Sequence, residues 1–167
     1  MGRTALIKAP AMLALAATLA VAGCASKKDI PNTAAELGLG NAAATPGSPQ
    51  DFTVNVGDRI FFDTDSSVIR ADAQTTLTRQ AQWLNQYPTY QITIEGHADE
   101  RGTREYNLAL GARRAAATRD FLVSRGVAAT RINTISYGKE RPVAVCDDIS
   151  CWSQNRRAVT VVSGAGS

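Results

Sequence analysis

Residues 94–118 read IEGHADERGTREYNLALGARRAAAT, and they hold the chain's only histidine, His97, amid a clump of charge. The segment joins two patterns of different period. Before the charge, Tyr90 to Glu95 alternates Tyr, Ile and Ile against Gln, Thr and Glu, which predicts a half-buried strand. After it, Arg104 to Ser124 predicts a helix, with Gly126 suited to the position just past its end. At about 100° per residue, Leu110, Arg114, Ala117 and Phe121 fall on one stripe, so Arg114 interrupts an otherwise apolar face. Arg113 points about 100° away, where charge meets water. A guanidinium on a core-facing stripe is strongly disfavoured unless an acceptor meets its planar donors. Asp99, at the strand end, is the nearest carboxylate able to fold back over it. Taken alone, such a pair is either a structural salt bridge or half of a binding site.

Outward from this segment the element types alternate. Arg59 to Phe62 reads as a short strand, and Ala71 to Tyr87 carries Ala73, Leu77, Ala81 and Leu84 at helical spacing before Pro88 stops it. Arg131 to Tyr137 and Arg157 to Val162 read as two further strands. Residues 52–162 therefore form one domain of common size, and 163–167 a short tail. The alternation predicts an α+β two-layer sandwich, one sheet covered by two helices.

The start of the chain has the form of an export signal. Arg3 and Lys8 are followed by an apolar run, Ala9 to Ala22, too short to span a bilayer comfortably. Val21-Ala22-Gly23-Cys24 resembles the bacterial lipobox, which implies cleavage after residue 23 and diacylglycerol on Cys24. Several acyl chains on one residue anchor a protein firmly, at about 0.8 kcal/mol per buried methylene. Ala25 and Ser26 follow, with no aspartate, and lipoproteins of this appearance are sent to the outer membrane. Loss of Arg3 and Lys8 takes the formal charge from +3 to +1, so the basic balance reflects targeting. No basic stripe interleaved with aromatics suggests a nucleic-acid partner. From Cys24 to Asp51 the composition is small and polar, with Pro31, Pro46 and Pro49, the pattern of a flexible tether.

Two cysteines remain, Cys146 and Cys151, in the loop before the last strand. In an oxidising envelope compartment a disulfide is the favoured fate, worth roughly 2 kcal/mol for so small a loop in the chain-entropy view. A zinc site is the rival, though it needs further soft ligands and His97 lies far off in sequence.

FFDTDSSVI (61–69), the 94–118 segment, ISYGKERP (135–142) and NRRAVTVV (155–162) occur in the order and spacing of the OmpA C-terminal-like domain family, which this chain resembles throughout residues 52–162. The resemblance implies a mixed sheet of βαβαβ-β order. It further implies non-covalent binding of peptidoglycan through meso-diaminopimelate, by the aspartate of the GHxD loop and the arginine of the RRA helix, here Asp99 and Arg114. The ligand's distal carbon carries an ammonium and a carboxylate, which suit a carboxylate and a guanidinium held side by side. Phe61, Phe62 and Asp63, in the first-strand segment, are expected either to form the other wall or to serve as aromatic core and a turn carboxylate, and Leu110 to line the pocket or pack. His97 is expected to position the loop by hydrogen bonding, and Asn155, Arg156 and Arg157 to have structural or rim roles. Alanine at Asp99 or Arg114 is expected to end wall binding and leave the fold intact. Lipid-anchored members of the family bind the periplasmic TolB propeller in the Tol system during cell constriction, which implies the same partner here. No cofactor is implied. The Cys146 and Cys151 loop departs from the family pattern.

An enzyme is the alternative of another class. His97, Asp99 and Glu100 suggest an acid–base or metal centre of a wall hydrolase. A catalytic zinc generally takes three protein ligands, and this chain lacks a second histidine, a nucleophile with a recognisable base, and a phosphate-cradling glycine loop.

Overall fold

A computed structural model of the chain describes residues 44–164. The signal segment 1–23, Cys24 and most of the tether lie outside the described residues, as do residues 165–167. Strands β1 (Arg59–Phe61), β2 (Gln91–His97), β3 (Ile132–Gly138) and β4 (Arg157–Ser163) form one sheet of order β1-β4-β2-β3. β4 is antiparallel to both β1 and β2, while β2 and β3 are parallel, so the sheet is mixed. Helices α2 (Ala71–Gln86) and α3 (Arg104–Ser124) cover it. The alternation in β2 puts Ile92 and Ile94 under these helices, against Leu77, Leu84, Ala115 and Leu122, all buried. Thr160 of β4 brings a hydroxyl into the same layer, where it donates to Gln80 Oε1 at 2.9 Å, and Gln80 donates to the Gly57 carbonyl at 2.6 Å. These buried polar groups thus keep their partners.

The expected strands and long helices stand where the periodicity puts them, to within a residue or two at their ends. Three features differ. Tether-like composition extends through Asp51, but residues 47–51 are docked on the domain. A short helix, α1 (Pro49–Asp51), is capped by Ser48 and runs on as a π-helical turn, Phe52–Gly57. The Asp51 carboxylate accepts from the Gly47 amide and from Trp83 Nε1, both at 2.8 Å, and the Tyr90 hydroxyl donates to the Gly47 carbonyl at 2.7 Å. Three helical residues are too few to carry a period. The second addition is α4 (Ile149–Asn155), just before β4, joined to its preceding loop by a Cys146–Cys151 disulfide with Cα atoms 5.7 Å apart. The third concerns α3, whose buried line is Asn107, Leu110, Gly111, Arg114, Ala115, Thr118 and Leu122. Leu110 and Arg114 belong to it; Ala117 and Phe121 sit on its half-buried edge.

Two glycines set the height of α3. A Cβ on Gly96 would overlap the Gly111 carbonyl, and one on Gly111 would come within 2.8 Å of the Gly96 carbonyl oxygen. Backbone therefore rests on backbone where helix crosses strand. One turn beyond Gly111, that contact delivers Arg114 to the C-terminal end of β2.

Candidate functional site

Arg114 is fully buried, at 0 % exposure, and is the largest such side chain among the described residues. Its guanidinium does not bond to Asp99, contrary to the expectation from sequence. Instead Nε donates to the Ser66 carbonyl at 2.8 Å, Nη1 to that of His97 at 2.7 Å and Nη2 to that of Asp63 at 3.1 Å. The Phe62 ring lies beneath it, 5.1 Å from the guanidinium carbon. Carbonyl dipoles take the place of the expected carboxylate, clamping the 62–66 loop to the end of β2. Burial pulls the guanidinium down to about 10 and the nearby Asp99 charge pushes back, so it stays protonated at neutral pH. Two of its five N–H donors are left over.

Asp99 is held by other arginines. Its Oδ1 accepts from the Arg101 amide at 3.3 Å and from Arg101 Nε at 3.2 Å, while Oδ2 accepts from Arg101 Nη2 at 2.7 Å and from Arg156 Nη1 at 3.3 Å. Burial alone would raise this carboxyl, but the hydrogen bonds and charge of Arg101, with help from Arg156, hold it below its ordinary value. Arg156 is itself buried and donates to the Phe62 carbonyl at 3.1 Å.

The two residues nevertheless share a cavity. A pocket of about 290 Å³ is lined by Thr64, Asp65, Asp99, Arg101, Gly102, Tyr106, Asn107, Leu110 and Arg114. Arg114 and Leu110 come from α3, Asp99 and Arg101 from the loop after β2, and Asp65 from the loop after β1. Across the pocket's mouth the Tyr106 hydroxyl meets the Asp65 carboxylate. Asp65 is the non-glycine residue with positive φ among the described residues, at 56°, the kind of local strain that gathers at ligand sites.

The other candidate residues are redistributed. Leu110 lines the pocket. Phe62 is buried and supports Arg114 from below. Asp63 contributes its carbonyl only, since its side chain turns outward to Arg70 at 3.2 Å. The His97 ring makes no hydrogen bond, so its positioning role falls to its backbone carbonyl, which receives Arg114. Burial, with the Arg157 and Arg141 charges, lowers the imidazole to about 4; Glu95, 3.5 Å from Nε2, therefore faces a neutral ring. Such a lowered value favours the folded state fully above the ordinary histidine pKa, and that contribution falls away as pH drops from about 6.5 to about 4. Asn155 ties down the disulfide loop, accepting from the Val143 and Ala144 amides at 2.9 and 3.2 Å. Arg157 donates to the Arg141 carbonyl at 3.2 Å. Among the described residues no group of three or more His, Cys, Asp or Glu is placed to hold a metal ion.

Arg101, Tyr106 and Asp65 line the pocket without having stood out in the sequence, and Trp152 beside it is a further addition. Arg101 carries a visible signal, since it lies two residues after Asp99 on the same turn. Trp152 carries none, because nothing in the sequence marks α4. Its ring lies under the Arg101 guanidinium at 4.2 Å, and its indole N–H meets the Glu100 carboxylate.

This fold, with a carboxylate and a buried arginine at one end of β2, corresponds to a known class: residues 61–157 match the OmpA family, and the chain belongs to it. Within that class, similarity is high to proteins named peptidoglycan-associated lipoprotein. That of Rhizobium meliloti (strain 1021) is 82% identical over 158 residues, covering 95% of this chain and 90% of that one. That of Pseudomonas aeruginosa is 42% identical over 156 residues, covering 88% of this chain and 92% of its own. The crystal structure of the peptidoglycan-associated lipoprotein from Burkholderia pseudomallei superposes with a TM-score of 0.66 at 41% identity, over 70% of this chain and 100% of that one. The family is one of structural binding proteins, so the chain is not an enzyme, and the hydrolase alternative falls.

Proposed function

We propose that the chain is a lipid-anchored protein of the outer membrane whose domain holds peptidoglycan non-covalently, by gripping meso-diaminopimelate of the wall peptide. One observation carries this: Asp99 and Arg114, drawn from a loop and a helix, line a single pocket of about 290 Å³. The ligand ammonium docks on Asp99, and the distal carboxylate takes the two spare donors of Arg114. Names of the relatives, which associate them with peptidoglycan and a lipid, support the same reading. So does the placing of the pocket. β2 begins beside Tyr90, whose hydroxyl holds Gly47, and ends at His97 under the pocket. Seven residues of strand span roughly 23 Å. The docked segment at Gly47 thus lies at the end of β2 opposite the site, which leaves the pocket clear of it. A TolB-type partner of the Tol system, sharing part of this surface during envelope constriction, rests on the family resemblance.

A wall whose peptides carry lysine instead lacks the distal carboxylate. The spare donors of Arg114 then lose their acceptor, about 1 to 3 kcal/mol, or roughly five- to 150-fold in affinity. Co-sedimentation of the protein with purified walls of the two types checks this. Retention by diaminopimelate-type wall with about fivefold or more weaker retention by lysine-type wall is expected; equal retention by both would refute the assignment.

A further inference from the structure

In the described state the Asp99 carboxylate has no free acceptor position. A carboxylate offers about four lone-pair sites, and all are engaged, three by Arg101 and one by Arg156. Arg114 on the floor has no exposure at all. A ligand ammonium can reach Asp99 only if one of the present donors leaves. The Arg101 amide is fixed by the loop, whose Arg101 carbonyl is held by Asn107 Nδ2 at 2.7 Å and whose Glu100 and Gly102 carbonyls accept from Lys139 Nζ at 3.1 and 2.7 Å. Arg156 is buried, with its side chain 9% exposed and bonded to the Phe62 carbonyl. The Arg101 side chain is the loose member, 40% exposed. It also has somewhere to go, since its guanidinium already lies 4.2 Å from the centre of the Trp152 ring, beside the Glu100 carboxylate that Trp152 binds.

We infer that the Arg101 guanidinium is a built-in stand-in for the ligand's ammonium, a latch that holds Asp99 and, when the wall peptide binds, lets go of it and turns to the Glu100 carboxylate while staying on the Trp152 ring. The exchange is cation for cation, so Asp99 stays paired and ionised throughout. It also discriminates, because a ligand end without a positive charge cannot replace a guanidinium on a buried carboxylate. α4 takes part as the platform for the displaced side chain, stapled in place by the disulfide next to Trp152.

This inference deepens the wall-peptide reading and rests on it. Arg101→Gln removes the competitor while keeping the backbone bonds of the loop, and thermal melting checks that it folds. Calorimetry with a soluble peptide ending in meso-diaminopimelate should show it binding roughly three- to fivefold tighter than wild type, the size of a partly exposed ion pair removed from competition. Wild-type tryptophan emission should change on binding as the guanidinium over the Trp152 ring exchanges Asp99 for Glu100. Arg101→Gln should lack that change, and Trp152→Phe separates this signal from the buried Trp83. Weaker binding by Arg101→Gln would make Arg101 a ligand-holding residue, and unchanged affinity and emission would leave it a bystander; either overturns the latch alone. Absence of binding by both proteins would overturn the wall-peptide reading and the latch with it.

Discussion

Arg114→Ala is expected to remove much of the domain's stability as well as to end wall binding. On sequence alone, this side chain is dispensable to the fold. The structure reverses that expectation, because one guanidinium satisfies the buried carbonyl of His97 and the part-buried carbonyls of Asp63 and Ser66. Truncation strands the buried His97 carbonyl and two part-buried ones, and at about 1 to 3 kcal/mol for the buried acceptor and less for the others the loss is on the order of 3 kcal/mol. That is a large fraction of the stability of an ordinary domain. Arg114→Lys keeps the charge but not the planar set of donors, and should fall between wild type and alanine in stability while losing most of the affinity. Urea denaturation followed by circular dichroism gives the stabilities; an Arg114→Ala midpoint equal to wild type would show that the clamp does not hold the fold.

Gly96→Ala carries the second large effect. Its new methyl meets the Gly111 carbonyl, which is backbone and cannot rotate aside, so α3 must lift from the sheet. A cost of about 3 kcal/mol is expected, at the upper end for overpacking, together with loss of wall binding as Leu110 and Arg114 move with the helix. Gly111→Ala makes the sign informative. Inside a helix the exchange ordinarily stabilises by roughly 0.5 to 1 kcal/mol, yet here the methyl faces Ser136 Oγ and the Gly96 carbonyl, so destabilisation is expected. Denaturation midpoints of the two variants at or above wild type would contradict the close crossing.

The frame of the domain is legible in the sequence because its signals are long. A 21-residue helix and strands with clear alternation carry their own periods, and burial follows from them. The buried stripe on α3 is displaced by about one position from the expected one, which is why Ala117 and Phe121 look central on a helical wheel. Short elements are not legible. α1 has three residues and α4 has seven, and neither offers two turns of pattern. At the site, the need of Arg114 for acceptors is visible, but their identity is not. Carbonyls carry no signature in a sequence, and any loop can present them, so the nearest carboxylate stands out instead. Asp99 is in turn claimed by Arg101, two residues away, and by Arg156, which reaches it from the position just before β4, the strand beside β2. Pairing across the sheet is fixed by the β2–β4 register, a property of the folded chain.

A crystal structure of the domain with a peptide ending in meso-diaminopimelate would put the proposed grip on view. The ammonium should lie within hydrogen-bond distance of the Asp99 carboxylate, and the distal carboxylate on the Arg114 guanidinium at the pocket floor. A peptide seated elsewhere on the domain, with Asp99 still bonded to Arg101 and Arg114 to its three carbonyls, would contradict it.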